Sequence, residues 1–347
     1  FGMVDALQTA GIPAFGPNAA AAQIEASKSF AKGVMERHGI PHGACETFTD
    51  FDAACRYVES RTGNVVVKAD GLAAGKGAIV TDSHADAIDA LRSLMVEGAL
   101  GASGATVVIE DRLSGPETSA HAFSDGRTVV HMPFACDHKA VFDGGRGPNT
   151  GGMGAYSPPA WLSASDAASL QRDVTEAAIR GMAAEGTPFA GVLFPGILVD
   201  ANAGPCVLEF NCRFGDPETE VLLPRLESDL LAIMLACTNG SLDRADVRWR
   251  DDAAVTVMLA SGGYPGAYET GKPISGLDDV DPDVIVFHAG TKRDDAGQVV
   301  TAGGRVLTVV GLGDDLASAR DRAYAGADRI RFAGRHLRRD IATREIG

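Results

Sequence analysis

Glu209 and Asn211 stand two residues apart in the run Val207-Leu208-Glu209-Phe210-Asn211-Cys212-Arg213-Phe214-Gly215-Asp216-Pro217-Glu218. Read as a strand, the run puts Val207, Glu209 and Asn211 on one face and Leu208 and Phe210 on the other. The second face is core. The first offers a carboxylate and an amide oxygen, hard donors for Mg²⁺ that leave positions open for water and phosphate oxygens. Taken alone, the pair also fits a half-buried edge strand with solvated polar groups. Arg213 and the turn through Gly215, Asp216, Pro217 and Glu218 add a cation and anions, which suits small charged substrates.

A second stretch points to phosphate. The apolar run at residues 64–69 carries Lys68 at its exit, then Asp70-Gly71-Leu72-Ala73-Ala74-Gly75-Lys76-Gly77, then a second strand at 78–81. A lysine at a strand end beside a glycine-rich tip suits phosphate binding. It is not the nucleotide loop Gly-x-x-x-x-Gly-Lys-Ser/Thr, because Gly77 follows Lys76 and a strand follows the loop where a helix should open. A hairpin whose glycine tip covers phosphates fits better. Farther on, the strand at 106–110 leaves through Asp111-Arg112-Leu113-Ser114-Gly115-Pro116-Glu117, a passage that can present backbone groups to a nucleobase and Glu117 to ribose hydroxyls. Residues 143–156 mix Gly with Arg, Asn, Thr and Tyr and carry no apolar periodicity, which predicts an ordered ligand loop.

The elements that must hold these residues alternate between helical and strand periods. Helices are expected at 4–10, 19–38, 51–60, 85–94, 163–185, 229–238 and 316–327. The second of these carries Ile24, Phe30 and Val34 on one stripe, with Lys28 and Lys32 one turn apart on it. Strands are expected at 14–16, 64–69, 78–81, 106–110, 118–123, 128–134, 189–199, 207–211, 254–260, 284–288 and 305–310. A hairpin through Asp200-Ala201-Asn202-Ala203-Gly204 pairs 189–199 with 207–211. The opening residues read as the last unit of an α/β domain, so the chain is expected to begin part-way into that domain and to leave a sheet edge uncovered there. At 347 residues it is too long for one simple core.

Composition excludes several classes. The chain has 31 Lys+Arg against 46 Asp+Glu, a formal charge of −15, and no basic run before Arg335, Arg338 and Arg339. A nucleic-acid binder usually has a basic face, so none is expected as a partner. No apolar run reaches the roughly 20 residues of a membrane span. None of the six cysteines forms Cys-x-x-Cys or a zinc spacing, and reduced thiols in the cytoplasm are the expectation. Val310-Gly311-Leu312-Gly313 fails as a dinucleotide turn because Leu316 stands where the third glycine belongs.

Four motifs, in order along the chain, resemble one family. They are Lys68 with Asp70-Gly71-Leu72-Ala73-Ala74-Gly75-Lys76-Gly77, then Asp137-His138-Lys139, then Gly147-Pro148-Asn149-Thr150-Gly151-Gly152-Met153-Gly154-Ala155, and the run from Glu209 to Glu218. They resemble the phosphoribosylamine–glycine ligase (glycinamide ribonucleotide synthetase) family of ATP-grasp enzymes. The resemblance implies an α/β (α+β) chain with an ATP-grasp fold of two lobes. It divides the chain into a remnant of an N-terminal Rossmann-like domain at 1–22, an ATP-grasp domain at 23–250 with a small ATP lobe at about 47–117, and a mixed β/α C-terminal domain at 251–347.

The resemblance also implies a reaction and roles. ATP phosphorylates the glycine carboxylate, and the amine of 5-phosphoribosylamine displaces phosphate. Mg²⁺ or Mn²⁺ sits on Glu209 and Asn211. Lys28, Lys68, Gly71, Gly75, Lys76 and Gly77 hold the ATP phosphates, Glu110 and Leu113 border adenine, and Glu117 takes the ribose. Asn149, Thr150, Gly151, Gly152 and Met153 line the glycine and amine pocket. Lys139 approaches the nucleotide, Arg213 pairs with a substrate carboxylate or phosphate, and Asp216 joins the catalytic set. The family's paired acids after the hinge appear here as Pro116-Glu117, so only the second acid is kept. A monomer is expected. The rival readings are an ATP-binding chain impaired in catalysis for want of the N-terminal strands, and an ATP-grasp carboxylate–amine ligase for another acid.

Overall fold

The computed structural model describes residues 2–73 and 77–346. Two compact units are described. One comprises Phe1–His131, Ser165–Arg213 and Leu231–Ala245, the other Met132–Ala164, Phe214–Leu230 and Asp246–Gly347.

The first unit contains two antiparallel sheets. In the smaller, four strands run in the order Cys45–Phe48, Val107–Asp111, Val65–Ala69, Ala78–Val80. The β-branched Val65, Val67, Val107 and Ile109 suit a pleated surface. They pack with Ala54, Val58, Ala87 and Leu91 from the helices Phe51–Ser60 and His84–Leu91. Asp50 and Ser83 cap those helices by accepting from Ala53 N and Asp86 N. Lys68 pairs with Ala78 across two antiparallel strands. The larger sheet runs Gly204–Asn211, Ala190–Asp200, Ala122–Asp125, Val129–His131, with Glu117–Ser119 also on the long central strand.

The second unit is built on a five-stranded antiparallel sheet. Its order is Ile285–His288, Arg305–Gly313, Ala253–Ala260, Gly154–Ser157, Cys136–Asp137. The helix Leu316–Arg329 lays Leu316, Ala319, Ala323, Tyr324 and Ala327 into one core with Val255, Val257, Leu259, Val306, Leu307 and Val309 of the sheet. Asp315 and Ser318 form a capping box at its start.

Several expected elements differ. No strand forms at 14–16, and Gly16 lies in a bend with φ +139°. The helix expected at 19–38 is broken at Ser27 into Gln23–Ala26 and Lys28–His38, because the Ser27 hydroxyl accepts from Phe30 N and caps the second piece. The strand expected at 118–123 divides between two sections of the long central strand, Glu117–Ser119 taking one and Ala122–Asp125 the other. The stretch 143–156, expected as a loop, is a hairpin, Ala140–Phe142 with Arg146–Asn149, followed by the strand Gly154–Ser157. Its glycines hid the ladder, since Gly144 and Gly145 take positive φ at the turn and Gly147 does so within the second strand, where the register shifts.

The metal-type strand also departs from simple alternation. Ile197 pairs with Val207 and Gly196 with Glu209, so Leu208 is an extra residue, a β-bulge. Val207 and Glu209 therefore lie on opposite faces, while Glu209 and Asn211 share one. Val207 is buried, Leu208 half-buried and Glu209 exposed.

Candidate active site

In the first unit the helix Lys28–His38 and two strands converge on one carboxylate. Glu110, 5% exposed, forms an ion pair with Lys32 at 2.6 Å and a second one with Lys68, both lysines 6% exposed. The bulge completes their coordination. Lys68 Nζ donates to Leu208 O at 3.1 Å and Lys32 Nζ to Val207 O at 3.4 Å. Successive carbonyls of a regular strand point to opposite sides, so the bulge allows neighbouring ones to serve neighbouring lysines. Two cations share one anion out of water. Burial, then the Lys32 ammonium, push the Lys68 pKa down to about 7, with Lys28 adding to the repulsion and Glu209 opposing it. Burial lowers Lys32 as well. The cluster is short of negative charge, which is what a polyphosphate brings.

The start of the lysine helix is tied to the hairpin. Lys28 N donates to Asp70 O at 3.1 Å, and the Asp70 carboxylate accepts from Ser29 N at 2.6 Å and from Ser27 Oγ at 3.1 Å. Gly71 N donates to Ser103 O and Ala69 N to Gly77 O. The expected roles of Gly75 and Lys76 fall on residues outside the described ones. Leu113 is half-buried and Glu117 is exposed at the start of its short strand.

At the far end of the bulged strand, Glu209 is exposed opposite Gly196, which has no side chain to cover it. Asn211 is 7% exposed, and its Oδ1 accepts from Arg213 Nη2 at 3.2 Å. Glu25 holds the turn. Its Oε2 accepts from Cys212 N at 2.7 Å and its Oε1 lies 3.7 Å from Arg213 Nε. An open carboxylate and an amide oxygen on one strand face fit a hard cation that takes its remaining ligands from water and phosphate. Among the described residues no cluster of three or more His, Cys, Asp or Glu side chains could hold a metal by itself.

The second unit holds the remaining residues. Thr150 N and Oγ1 both donate to Lys139 O, at 2.7 and 2.8 Å, and Gly152 N donates to Thr150 Oγ1 at 2.9 Å. Met153 N donates to His138 O, and Tyr264 OH accepts from Gly151 N at 3.1 Å. Arg305 donates to Gly151 O at 2.7 Å and grips Asp216 with both guanidinium arms, at 2.8 and 2.6 Å. Gly152 has φ +111°, and a Cβ there would come within 2.2 Å of Pro217 Cδ, so only glycine lets this turn lie on the Asp216-Pro217 bend. Met153 is fully buried with Val141 and Ala260. The Lys139 ammonium lies 3.8 Å from Asp137 Oδ1.

Sequence reasoning placed Glu110 beside adenine, and its carboxylate sits against Lys32 and Lys68. It missed Lys32, Asp70, Glu25, Arg305 and Tyr264 as site residues. Lys32 had a signal, a lysine one turn from Lys28 on the apolar stripe of its helix. Arg305 had a weaker one, a charged residue after Gly303-Gly304 at the mouth of an apolar strand. Glu25 had none, being 187 residues from Cys212 in the chain.

Residues 26–219 match the model of the phosphoribosylglycinamide synthetase ATP-grasp (A) domain, and residues 254–344 match that of the phosphoribosylglycinamide synthetase C domain. The phosphoribosylamine–glycine ligase of Allochromatium vinosum is 48% identical over 346 residues, 99% of this chain and 81% of that protein. That of Agrobacterium fabrum is 46% identical over 345 residues, again 99% and 81%. The crystal structure of phosphoribosylamine–glycine ligase from Thermotoga maritima superposes with a TM-score of 0.86 at 36% identity, covering 94% of this chain and 81% of that one. The biotin carboxylase domain of 2-oxoglutarate carboxylase from Hydrogenobacter thermophilus shares the fold, with a TM-score of 0.75 at 16% identity over 96% of this chain and 72% of that chain.

Proposed function

The chain belongs to the phosphoribosylglycinamide synthetase family, and on that footing we propose how its own residues carry the reaction. It is an ATP-grasp ligase that joins glycine to 5-phosphoribosylamine at the expense of ATP, a step of purine synthesis. Glycine is activated as its acyl phosphate, the amine then attacks the acyl carbon, and phosphate leaves.

The observation that carries the residue assignment is the pair of buried lysines on a single carboxylate. Bringing a carboxylate to a γ-phosphoryl group sets anion against anion, and a site with surplus buried positive charge lowers that barrier. Lys68 and Lys28 hold the phosphates, with Gly71 and Gly77 of the hairpin and with Gly75 and Lys76. Lys32 and Glu110 fix Lys68 in place. Closure of the glycine hairpin excludes water from an acyl phosphate that water would hydrolyse. Leu113 borders the adenine and Glu117 the ribose.

Glu209 and Asn211 are the residues that would hold Mg²⁺ or Mn²⁺. Such an ion, when bound, neutralises charge developing on the transferring phosphoryl oxygens. Arg213, steadied by Glu25 and Asn211, offers its fork of donors to a substrate carboxylate or phosphate. Asn149, Thr150, Gly151, Gly152 and Met153 line the glycine and amine pocket, Asp216 and Arg305 brace it, and Lys139 meets the nucleotide. A cytoplasmic monomer completes the reading.

The test is ADP release from ATP and Mg²⁺, with and without glycine and freshly made phosphoribosylamine. Release that requires both substrates supports the ligase. Binding of ATP without release would leave a nucleotide-binding chain, and release with another acid in place of glycine would move the specificity.

A further inference from the structure

The segment 336–342 runs beside the hairpin that leads into the glycine-rich loop and bonds to it through His336, Arg338, Arg339 and Asp340. His336 Nε2 meets Val141 O at 2.8 Å. Arg338 Nη1 donates to Ala140 O at 3.0 Å, while its Nε and Nη2 fork onto Asp340 at 2.7 and 2.6 Å. Asp340 Oδ2 accepts from Gly144 N at 2.7 Å. Arg339 N donates to Asp143 Oδ1 at 2.8 Å, and Ala342 N donates to His138 Nε2 at 3.1 Å. Arg338 is 4% exposed, so its guanidinium is paired out of water. Burial works against the Asp340 charge, but the Arg338 fork and the Gly144 amide outweigh it and hold the carboxyl below its usual range.

These bonds reach both ends of one short unit. Asp143 and Gly144 form the hairpin turn, Ala140 and Val141 its first strand, and His138 the residue before Lys139. From Lys139 and His138 the backbone carbonyls fix Thr150 and Met153. The tail therefore sets the frame from which residues 149–153 are hung, without contributing a group to them.

We propose that Arg338 and Asp340 are positioning residues for the reaction, acting through the hairpin 140–149 on the loop 149–153. The inference rests on the reading that this loop lines the glycine and amine pocket. Displacing a hydrogen-bonded loop by a fraction of an ångström weakens substrate alignment while the rest of the fold stands. The consequence is selective. Asp340→Asn keeps one acceptor for Gly144 N but gives up half of the Arg338 fork, and it raises KM for glycine or for the amine by about tenfold, or lowers kcat to the same extent. KM for ATP shifts by a smaller factor, because Lys28 and Lys68 do not touch this frame and only Lys139 is carried on it.

The experiment measures kcat and KM for each of the three substrates, with thermal melts, in Asp340→Asn, in Asp143→Ala and in Asn149→Ala. Asp143→Ala removes the bond from Arg339 N and the side-chain contact of Asp143 with Asp340, leaves the Arg338 fork on Asp340 in place, and serves if Asp340→Asn does not fold. It shifts the same parameters in the same direction by a smaller factor. The proposal is upheld when both tail-frame variants change the glycine or amine parameters by a larger factor than KM for ATP, with the melt unchanged. It is overturned when all three KM values and kcat stay at wild-type levels, or when all change together with the melt. Asn149→Ala separates the two layers. If it leaves the glycine and amine parameters unchanged, the pocket reading itself is wrong. If it changes them while the tail-frame variants do not, only the positioning role falls.

Discussion

The first unit holds its candidate residues by charge and the second by packing and backbone hydrogen bonds. Lys32, Lys68 and Glu110 are all more than nine-tenths buried, and two amines share one carboxylate. Around Asn149 to Met153 the donors and acceptors are mostly peptide groups, the ion pair of Asp216 with Arg305 is a matched fork, and a glycine sits where a methyl group cannot. A charge cluster of the first kind is completed by its ligand, since a polyphosphate brings the missing negative charge. A scaffold of the second kind has its shape before any ligand arrives. The two therefore respond differently to substitution.

The largest effect is expected where the charge balance is broken further. Glu110→Ala leaves two ammoniums buried without a carboxylate, and the loss should be about 3–5 kcal/mol by chemical denaturation, the usual cost of stripping one partner from a buried pair. Lys68→Met makes the opposite change, leaving Lys32 and Glu110 as a one-to-one pair. It should be neutral or stabilising, yet should abolish measurable ATP binding. Equal destabilisation by both variants would mean that the cluster is already balanced, and the contrast between the units would fail.

In the second unit the corresponding change is steric. Gly152→Ala puts a Cβ 2.2 Å from Pro217 Cδ at a positive φ. The cost should be about 1–3 kcal/mol, with loss of turnover and with ATP affinity kept. Loss of ATP affinity in this variant would show that the loop does more than shape a pocket.

Acid acts on both units through histidines held neutral by burial, with His131 lowered as well as His121 in the first, which sharpens the contrast by removing a difference. Burial, then the Arg213 charge, lowers His121 to about 3, and burial, then Arg338, lowers His138 to about 4. Both fold as neutral rings with pKa values below the unfolded value of about 6.5. Their contribution is therefore full above about pH 6.5 and is lost as pH falls toward 4 and then 3. Stability should drop by about 1.4 kcal/mol per pH unit for each ring across that window. His138→Gln, whose side chain can still accept from Ala342 N, should reduce the slope between pH 6 and 4.5 by about 1.4 kcal/mol per pH unit. An unchanged slope would assign acid sensitivity to other groups.

What was readable in the chain divides along the same line. Residues whose chemistry is carried by their own side chains, such as Glu209 and Lys68, stood out by type and position. The hairpin pairing of 189–199 with 207–211 followed from period and turn residues. The bulge at Leu208 did not, because one extra residue changes no composition, only register. The same holds for Ser27, which reads as one more helical residue until its hydroxyl is seen to cap. Glu25 with Cys212, Arg305 with Gly151, and Asp340 with Gly144 are pairings across 187, 154 and 196 residues. No local period reports such contacts. The glycines of the 143–156 stretch signalled that something approaches closely, but not that the neighbour is the chain's own Pro217.

The smallest effect on the fold, and the clearest on function, is expected at Glu209. Its side chain is exposed and faces a glycine across the strand pair, so Glu209→Gln should change stability by less than about 0.5 kcal/mol. The amide keeps the shape and one oxygen but loses the charge that a divalent cation needs. ATP affinity measured without divalent cation should stay near wild type, because the lysines remain. The gain in affinity on adding Mg²⁺ should shrink by about tenfold, or about 1.4 kcal/mol. If that gain is untouched while Asn211→Ala removes it, the cation rests on the amide and on phosphate alone. If neither variant alters it, the oxygen pair on this strand is not the metal site, and the first unit binds its nucleotide by lysine charge only.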